Sequence, residues 1–183
     1  MDPSNPLTKR LKEYVIKVIK SLEGGKCFPF HAEVWVTNND ELVLCEIASR
    51  IAGPPIGKSV ESLWGYDMYR IFTDYQANVD FHNKRILKNF SEREEPEDLV
   101  GHCAVYPRKH SKLVKYPSSE PANYVIYYAK LLSEGSVVEK VTDSANFVSL
   151  FLVMGKNEET LKERIQKTIE WFEENTVWEE IKN

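Results

Sequence analysis

Two β-rich runs, Phe30 to Thr37 and Leu42 to Ile47, are separated only by Asn38-Asn39-Asp40-Glu41, whose Asn and Asp residues tolerate the left-handed backbone of a tight turn. So short a connection predicts an antiparallel hairpin. A turn centred on Asn39-Asp40 pairs the strands so that Glu33 stands directly opposite Glu46. Side chains alternate, so Ala32, Val34, Val36, Val43, Cys45 and Ile47 are expected on one apolar face. His31, Glu33, Glu46 and, if the strand continues, Ala48 and Arg50 share the other. Carboxylates opposed across a ladder, with β-carbons about 4.5–5.5 Å apart, repel each other. They need a proton, a cationic side chain or a metal between them. A Mg²⁺ ion carrying phosphates would serve, because Mg²⁺ takes one or two carboxylates together with phosphate oxygens and water. A surface ion network with Arg50 and His31 would also serve, and a one-residue slip in register would remove the opposition.

The rest of the chain reads as mixed α and β. Leu7, Leu11, Val15, Val18 and Leu22 recur at helical spacing between Lys and Glu, and Gly24-Gly25 ends the run. Val60 to about Ala77 is expected to be helical, with a break at Gly65. Further strands are expected over Val100–Tyr106, Tyr124–Leu132, Val137–Val141 and Phe147–Met154. Asn157 then caps a closing helix whose stripe is Leu161, Ile165, Ile169 and Phe172. With 42% hydrophobic residues the 183-residue chain can fill a core, as a globular protein must. A net charge of -4 with interspersed signs offers no basic stripe for nucleic acid and no polybasic run for a membrane. No apolar run approaches a membrane span and the first 25 residues lack a signal-peptide core, so a cytoplasmic protein is expected. Cys27, Cys45 and Cys103 have no metal-site spacing and are expected to be reduced and structural.

Ala52-Gly-Pro-Pro-Ile-Gly-Lys-Ser59 satisfies the loosest phosphate-loop pattern. Pro54 and Pro55, however, each remove an N–H that a phosphate cradle needs, and the strand before them belongs to a hairpin rather than a parallel βαβ unit. The bland expectation is a rigid Pro-Pro turn, with Lys58 solvated and Ser59 capping the next helix.

Phe30-His-Ala-Glu33, Val43-Leu-Cys-Glu46-Ile-Ala-Ser-Arg50-Ile-Ala-Gly53 and the helix beginning near Gly65-Tyr-Asp-Met68 resemble the carboxy-terminal lobe of ATP-grasp carboxylate–amine ligases. The nearest likeness is to the dipeptide-forming L-amino-acid ligases and carnosine-synthase-like enzymes, and Gly101-His-Cys-Ala-Val-Tyr-Pro107 resembles the strand that follows their site. The resemblance implies that Glu33 and Glu46 bind the Mg²⁺ (or Mn²⁺) ions bridging the phosphates of ATP. It also implies that Arg50 stabilises the acyl-phosphate and tetrahedral intermediates. Ala48 stands where many ATP-grasp enzymes carry a further metal-binding Asn; Ala is usual in the amino-acid-ligase subgroup. In the same resemblance Gly53 and Pro54 fall where the substrate pocket is shaped, and His31 lies beside the metal face, as a structural residue or one that supports the metal ligands or the pocket rather than binding the ion.

The expected fold is therefore α+β, a mainly antiparallel sheet packed by helices, equivalent to the carboxy-terminal half of an ATP-grasp fold. Its expected parts are the metal-site half (residues 1–82), a charged connection (83–97) and a smaller β-rich lobe with the closing helix (98–183). Before Glu33 stand only one helix and a loop, too little for the amino-terminal lobe with its glycine-rich flap and phosphate lysine. The expected function is that of part of a ligase joining a small-molecule carboxylate to an amino-acid-like amine, inactive without that missing lobe. The alternative is a non-catalytic binding or regulatory module derived from a truncated ATP-grasp protein, a homodimer through the surface that once met the other lobe.

Overall fold

The structure is a computed structural model and describes residues 2–22, 29–77, 96–108, 110–138 and 146–181. Two compact units divide the chain, Met1–Pro96 and Glu97–Asn183. The expected connection over 83–97 falls almost wholly outside the described residues, as do Gly24-Gly25, Cys27 and the end of the strand expected at Val137–Val141.

The first unit opens with helix α1, Pro6–Ser21. The Asn5 side chain accepts from the Leu7 N–H, and Pro6 sits in the first turn, where a missing N–H costs nothing. Leu7, Leu11, Val15 and Val18 are partly buried along one stripe, whereas Leu22 lies beyond the helix end and is exposed. Strands β1, His31–Val36, and β2, Leu42–Ala48, form the expected hairpin. Asp40 takes a positive φ of 60° in the turn, and helix α1 grips that turn: the Arg10 guanidinium donates to both Asp40 carboxylate oxygens, at 2.8 and 3.0 Å.

The ladder carries a bulge between Glu33 and Val34, which changes the expected faces. On the open side of it Glu33 pairs with Glu46, Ala32 with Ile47 and His31 with Ala48. On the turn side Val34 pairs with Leu44, Trp35 with Val43 and Val36 with Leu42. The inner face of β2 is thus built from Ile47, Leu44 and Leu42. Val43 and Cys45, expected inside, are exposed instead, because one extra residue reverses the alternation. The Leu44 N–H beside the bulge donates to the Tyr14 hydroxyl of α1 at 3.0 Å.

Helix α2, Pro54–Trp64, begins earlier than expected. Pro54 and Pro55 are its first turn and not a loop, since proline's fixed φ suits a helix start. Gly65 ends it at φ 68°, as the expected break requires, and α3, Met68–Gln76, follows. Gly57 lets the Tyr69 ring approach, and the Tyr69 hydroxyl donates to the Ala52 carbonyl at 3.2 Å.

In the second unit β3 (Leu99–Val105) and β5 (Val125–Lys130) flank β7 (Ser149–Gly155) in an antiparallel sheet. The second sheet has β4 (Ser111–Lys115) between β6 (Val137–Val138) and β8 (Val177–Glu180). Helix α4, Glu158–Asn175, starts at the expected Asn157 cap, whose side chain accepts from the Thr160 N–H at 2.8 Å, and packs on β3 and β7. Strands β4 and β8 were not expected from their sequences. The core holds Cys103, Leu113, Tyr116, Val148, Phe151, Val153 and Phe172. Burial pushes the Cys103 thiol up to about 11, so it stays protonated and structural at neutral pH.

Candidate metal centre

The open end of the hairpin gathers most of the expected site. Strand alternation sets His31 and Glu33 on one face, and the register brings Glu46 across from Glu33. His31 Nε2 lies 3.2 Å from Glu33 Oε1, and one ligand atom each from His31, Glu33 and Glu46 all fall within 4.8 Å of one another. The carboxylate side chains are half-exposed, at 54% and 53%, whereas that of His31 is 17% exposed. After β2 the chain turns sharply, the Arg50 N–H donating to the Ala48 carbonyl at 2.9 Å. This turn leaves the Arg50 guanidinium 3.7 Å from Glu46 Oε1 and within 3.3 Å of the Ile51 carbonyl.

The donor set suits a divalent ion. Ligands about 2.1 Å from an octahedral ion lie about 3 Å apart when adjacent and about 4.2 Å apart when opposite. Closing the centre from its 4.8 Å spread therefore asks only a small rotation of exposed carboxylates. Arg50 gives the competing neutralisation, but a half-exposed pair at 3.7 Å is worth little. The two carboxylates thus sit opposed with a weak cationic partner on Glu46 and an imidazole on Glu33.

Gly53 and Pro54 have a different place. Gly53 is the N-cap of α2, where a β-carbon would meet nothing within 4 Å, and Pro54 begins the helix. Backbone N–H groups that a phosphate cradle would use are turned into the helix: those of Ile56 and Gly57 donate to the Gly53 carbonyl. Ser59 is no cap, since its hydroxyl donates to the Pro55 carbonyl one turn back, and Lys58 pairs with Glu61. Lys58→Ala is accordingly expected to change stability by no more than about 0.5 kcal/mol, as at other half-exposed surface pairs. It should also leave ATP affinity unchanged in calorimetry. A tenfold weakening of ATP binding would restore the phosphate-loop reading.

Sequence reasoning missed the exposed apolar surface beside the centre. Trp35, 63% exposed, and Val43, 46% exposed, are paired across the ladder on the face that carries Glu33. The parity of Trp35 with Glu33 was the available signal; Val43 joins it only because of the bulge.

A hairpin with paired carboxylates at its open end and helices after it, followed by an antiparallel sheet backed by one long helix, defines an α+β architecture with a candidate site at the hairpin's open end. No family model and no curated protein matches the sequence. Among solved structures, phosphoribosylglycinamide synthetase from Anaerococcus prevotii superposes with a TM-score of 0.74 at 15% identity, over 98% of this chain and 44% of that one. The L-amino acid ligase from Bacillus licheniformis superposes with a TM-score of 0.72 at 13% identity, over 100% of this chain and 45% of that one. Both are ATP-grasp enzymes, and the fold of this chain is that of an ATP-grasp carboxy-terminal region. The chain spans less than half the length of either relative. Among the described residues, no helix is long and apolar enough to cross a membrane.

Proposed function

We propose that this chain carries the metal-holding half of an ATP-dependent carboxylate–amine ligase. The observation that supports this most is the opposition of Glu33 and Glu46, with His31 and Arg50 beside them, on a fold shared with two ATP-grasp ligases. In the proposed reaction the terminal phosphoryl group of ATP passes to a carboxylate oxygen, giving an acyl phosphate and ADP. An amine nitrogen then attacks the acyl carbon, phosphate leaves, and an amide remains; an amino-acid-like pair of substrates would make this a dipeptide. Glu33 and Glu46 would hold Mg²⁺ or Mn²⁺, whose chemical contribution is to neutralise charge on the phosphate oxygens. Arg50, adjoining Glu46, would face the negative charge that develops on the oxygen of the tetrahedral intermediate. The adenine contacts and the phosphate lysine would come from a second lobe.

Thermal melts test the metal reading. If the carboxylates repel without an ion, Glu46→Gln in EDTA should raise stability by some tenths up to about 1 kcal/mol at neutral pH. Millimolar Mg²⁺ should stabilise the parent and leave the variant unmoved, because an ion that binds only the folded state acts by mass action. A destabilised variant together with a Mg²⁺-indifferent parent would favour the Arg50 ion network and a non-catalytic module.

A further inference from the structure

We infer that His31 is itself a metal ligand, supplying nitrogen to the Glu33–Glu46 centre and making it select a first-row transition ion, Mn²⁺, over Mg²⁺. The inference rests on the ligase reading for the presence of an ion and adds the identity of a ligand and of the ion. Three features carry it. His31 and Glu33 share a strand face, and His31 Nε2 stands 3.2 Å from Glu33 Oε1. Adjacent ligands held about 2.1–2.2 Å from one ion are about 3.0–3.1 Å apart, so the pair already has the spacing of neighbours in a coordination shell. Second, the residue paired with His31 is Ala48, whose side chain is a single methyl group with no donor or charge to compete for the imidazole. Third, His31 is the least exposed of the three donors, so its ring is held while the two carboxylates can close on an ion.

The chemistry then separates the ions. Mg²⁺ is a hard cation that favours an all-oxygen octahedron and gives up water reluctantly. Imidazole is a softer donor that first-row transition ions accept, so one nitrogen beside two carboxylates shifts the preference away from Mg²⁺. Mn²⁺ still takes carboxylate, phosphate and water oxygens, which keeps it compatible with a phosphate-bearing substrate.

Pulsed electron paramagnetic resonance on the full chain with added Mn²⁺ reads directly bound nitrogen as modulation of the spin echo. The expected result is ¹⁴N modulation in the parent, replaced by the ¹⁵N pattern in protein grown on ¹⁵N-histidine. In His31→Gln the modulation should disappear while Mn²⁺ remains bound. The chain also contains His82, His102 and His110, so Glu46→Gln provides the assignment: it should remove the Mn²⁺ and the nitrogen signal together. Titrations should show Mn²⁺ affinity falling at least about tenfold in His31→Gln, since even outer-shell partners of a ligand are commonly worth that much. Mg²⁺ affinity should change by less than about threefold, an ion that gains little from imidazole. Mn²⁺ bound in a Glu46-dependent way without any nitrogen modulation would overturn this inference and leave the ligase reading standing. No Mn²⁺ binding at millimolar concentration, or binding indifferent to Glu46→Gln, would overturn both.

Discussion

Phe172→Ala is expected to lower the stability of the second unit by about 3–5 kcal/mol, the usual range for removing a buried aromatic ring. Phe172 is 1% exposed near the end of α4 and forms one corner of an aromatic cluster. Its ring centroid lies 5.6 Å from Phe151 in an edge-on arrangement, 6.1 Å from Tyr116 and 6.5 Å from Tyr128. Phe151 is in turn stacked on Tyr128 at 4.6 Å. These rings join both sheets of the unit to the helix: Phe151 is on β7, Tyr128 on β5, and Tyr116 directly follows β4. Loss of the ring leaves a cavity that rigid neighbours cannot fill, so a transfer cost and a cavity cost add. Urea denaturation followed by tryptophan fluorescence measures the effect through Trp171 and Trp178, which pack against the same core. A loss below about 1 kcal/mol would contradict the burial described, being no more than a typical surface-to-average substitution.

Gly155→Val should cost about 3 kcal/mol, at the upper end of what overpacking a core does. Gly155 is the last residue of β7, where the chain turns toward α4. A β-carbon there would stand 2.9 Å from both the backbone N and the Cα of Leu161 and 3.0 Å from its Cβ. Backbone atoms cannot rotate out of the way, so β7 and the first turns of α4 would have to move apart. Gly101 on β3 meets the same helix differently: its nearest neighbours are the side-chain ends of Ile165 and Leu161, at 2.9 and 3.1 Å. Gly101→Ala can be relieved by a rotamer change, and its cost should therefore be smaller than that of Gly155→Ala. Comparing the two alanine variants in the same denaturation assay checks the mechanism, since equal costs would show that backbone contact is not what makes Gly155 special.

These two residues belong to the part of the molecule whose internal logic was half visible in sequence. The helical stripe of Leu161, Ile165, Ile169 and Phe172, and the Asn157 cap before it, depend on spacing within one segment and could be read directly. The need for glycine at 155 could not, because it arises from the approach of two elements that the chain brings together after a turn. Strands β4 and β8 escaped for a related reason. Ser111-Lys-Leu-Val-Lys115 and Val177-Trp-Glu-Glu180 are short and half charged, with no sustained alternation. Each is a strand because the other completes its hydrogen bonds, Leu113 opposite Trp178, and because Leu113 fills the core.

At the candidate site the division is sharper. The sequence alone determined that the segment from Phe30 to Ile47 is a hairpin and that His31 shares a face with Glu33. The expected opposition of Glu33 and Glu46 holds only through the bulge, because the register beside the turn, continued regularly, would set Glu33 against Cys45. Turn chemistry and the two-residue period of a strand are local properties, and they hold wherever the ladder stays regular. Only the tertiary structure decided which residues of β2 face inward between the turn and Glu46. One extra residue at the bulge reverses the alternation there, putting Leu42 and Leu44 inside and Val43 and Cys45 outside. That arrangement is supported from outside the hairpin, by the Tyr14 hydroxyl on the Leu44 N–H and by Arg10 on Asp40, both from α1. The Pro-Pro segment was decided in the same way. Read alone, Gly53-Pro-Pro-Ile-Gly-Lys-Ser59 fits a turn or a damaged phosphate loop; with Tyr69 of α3 packed against Gly57 and bonded to Ala52, it becomes the first turns of a helix. A side chain's face follows from its neighbours in sequence until a contact from another element makes a different backbone path more stable, and such contacts are set by residues far away along the chain.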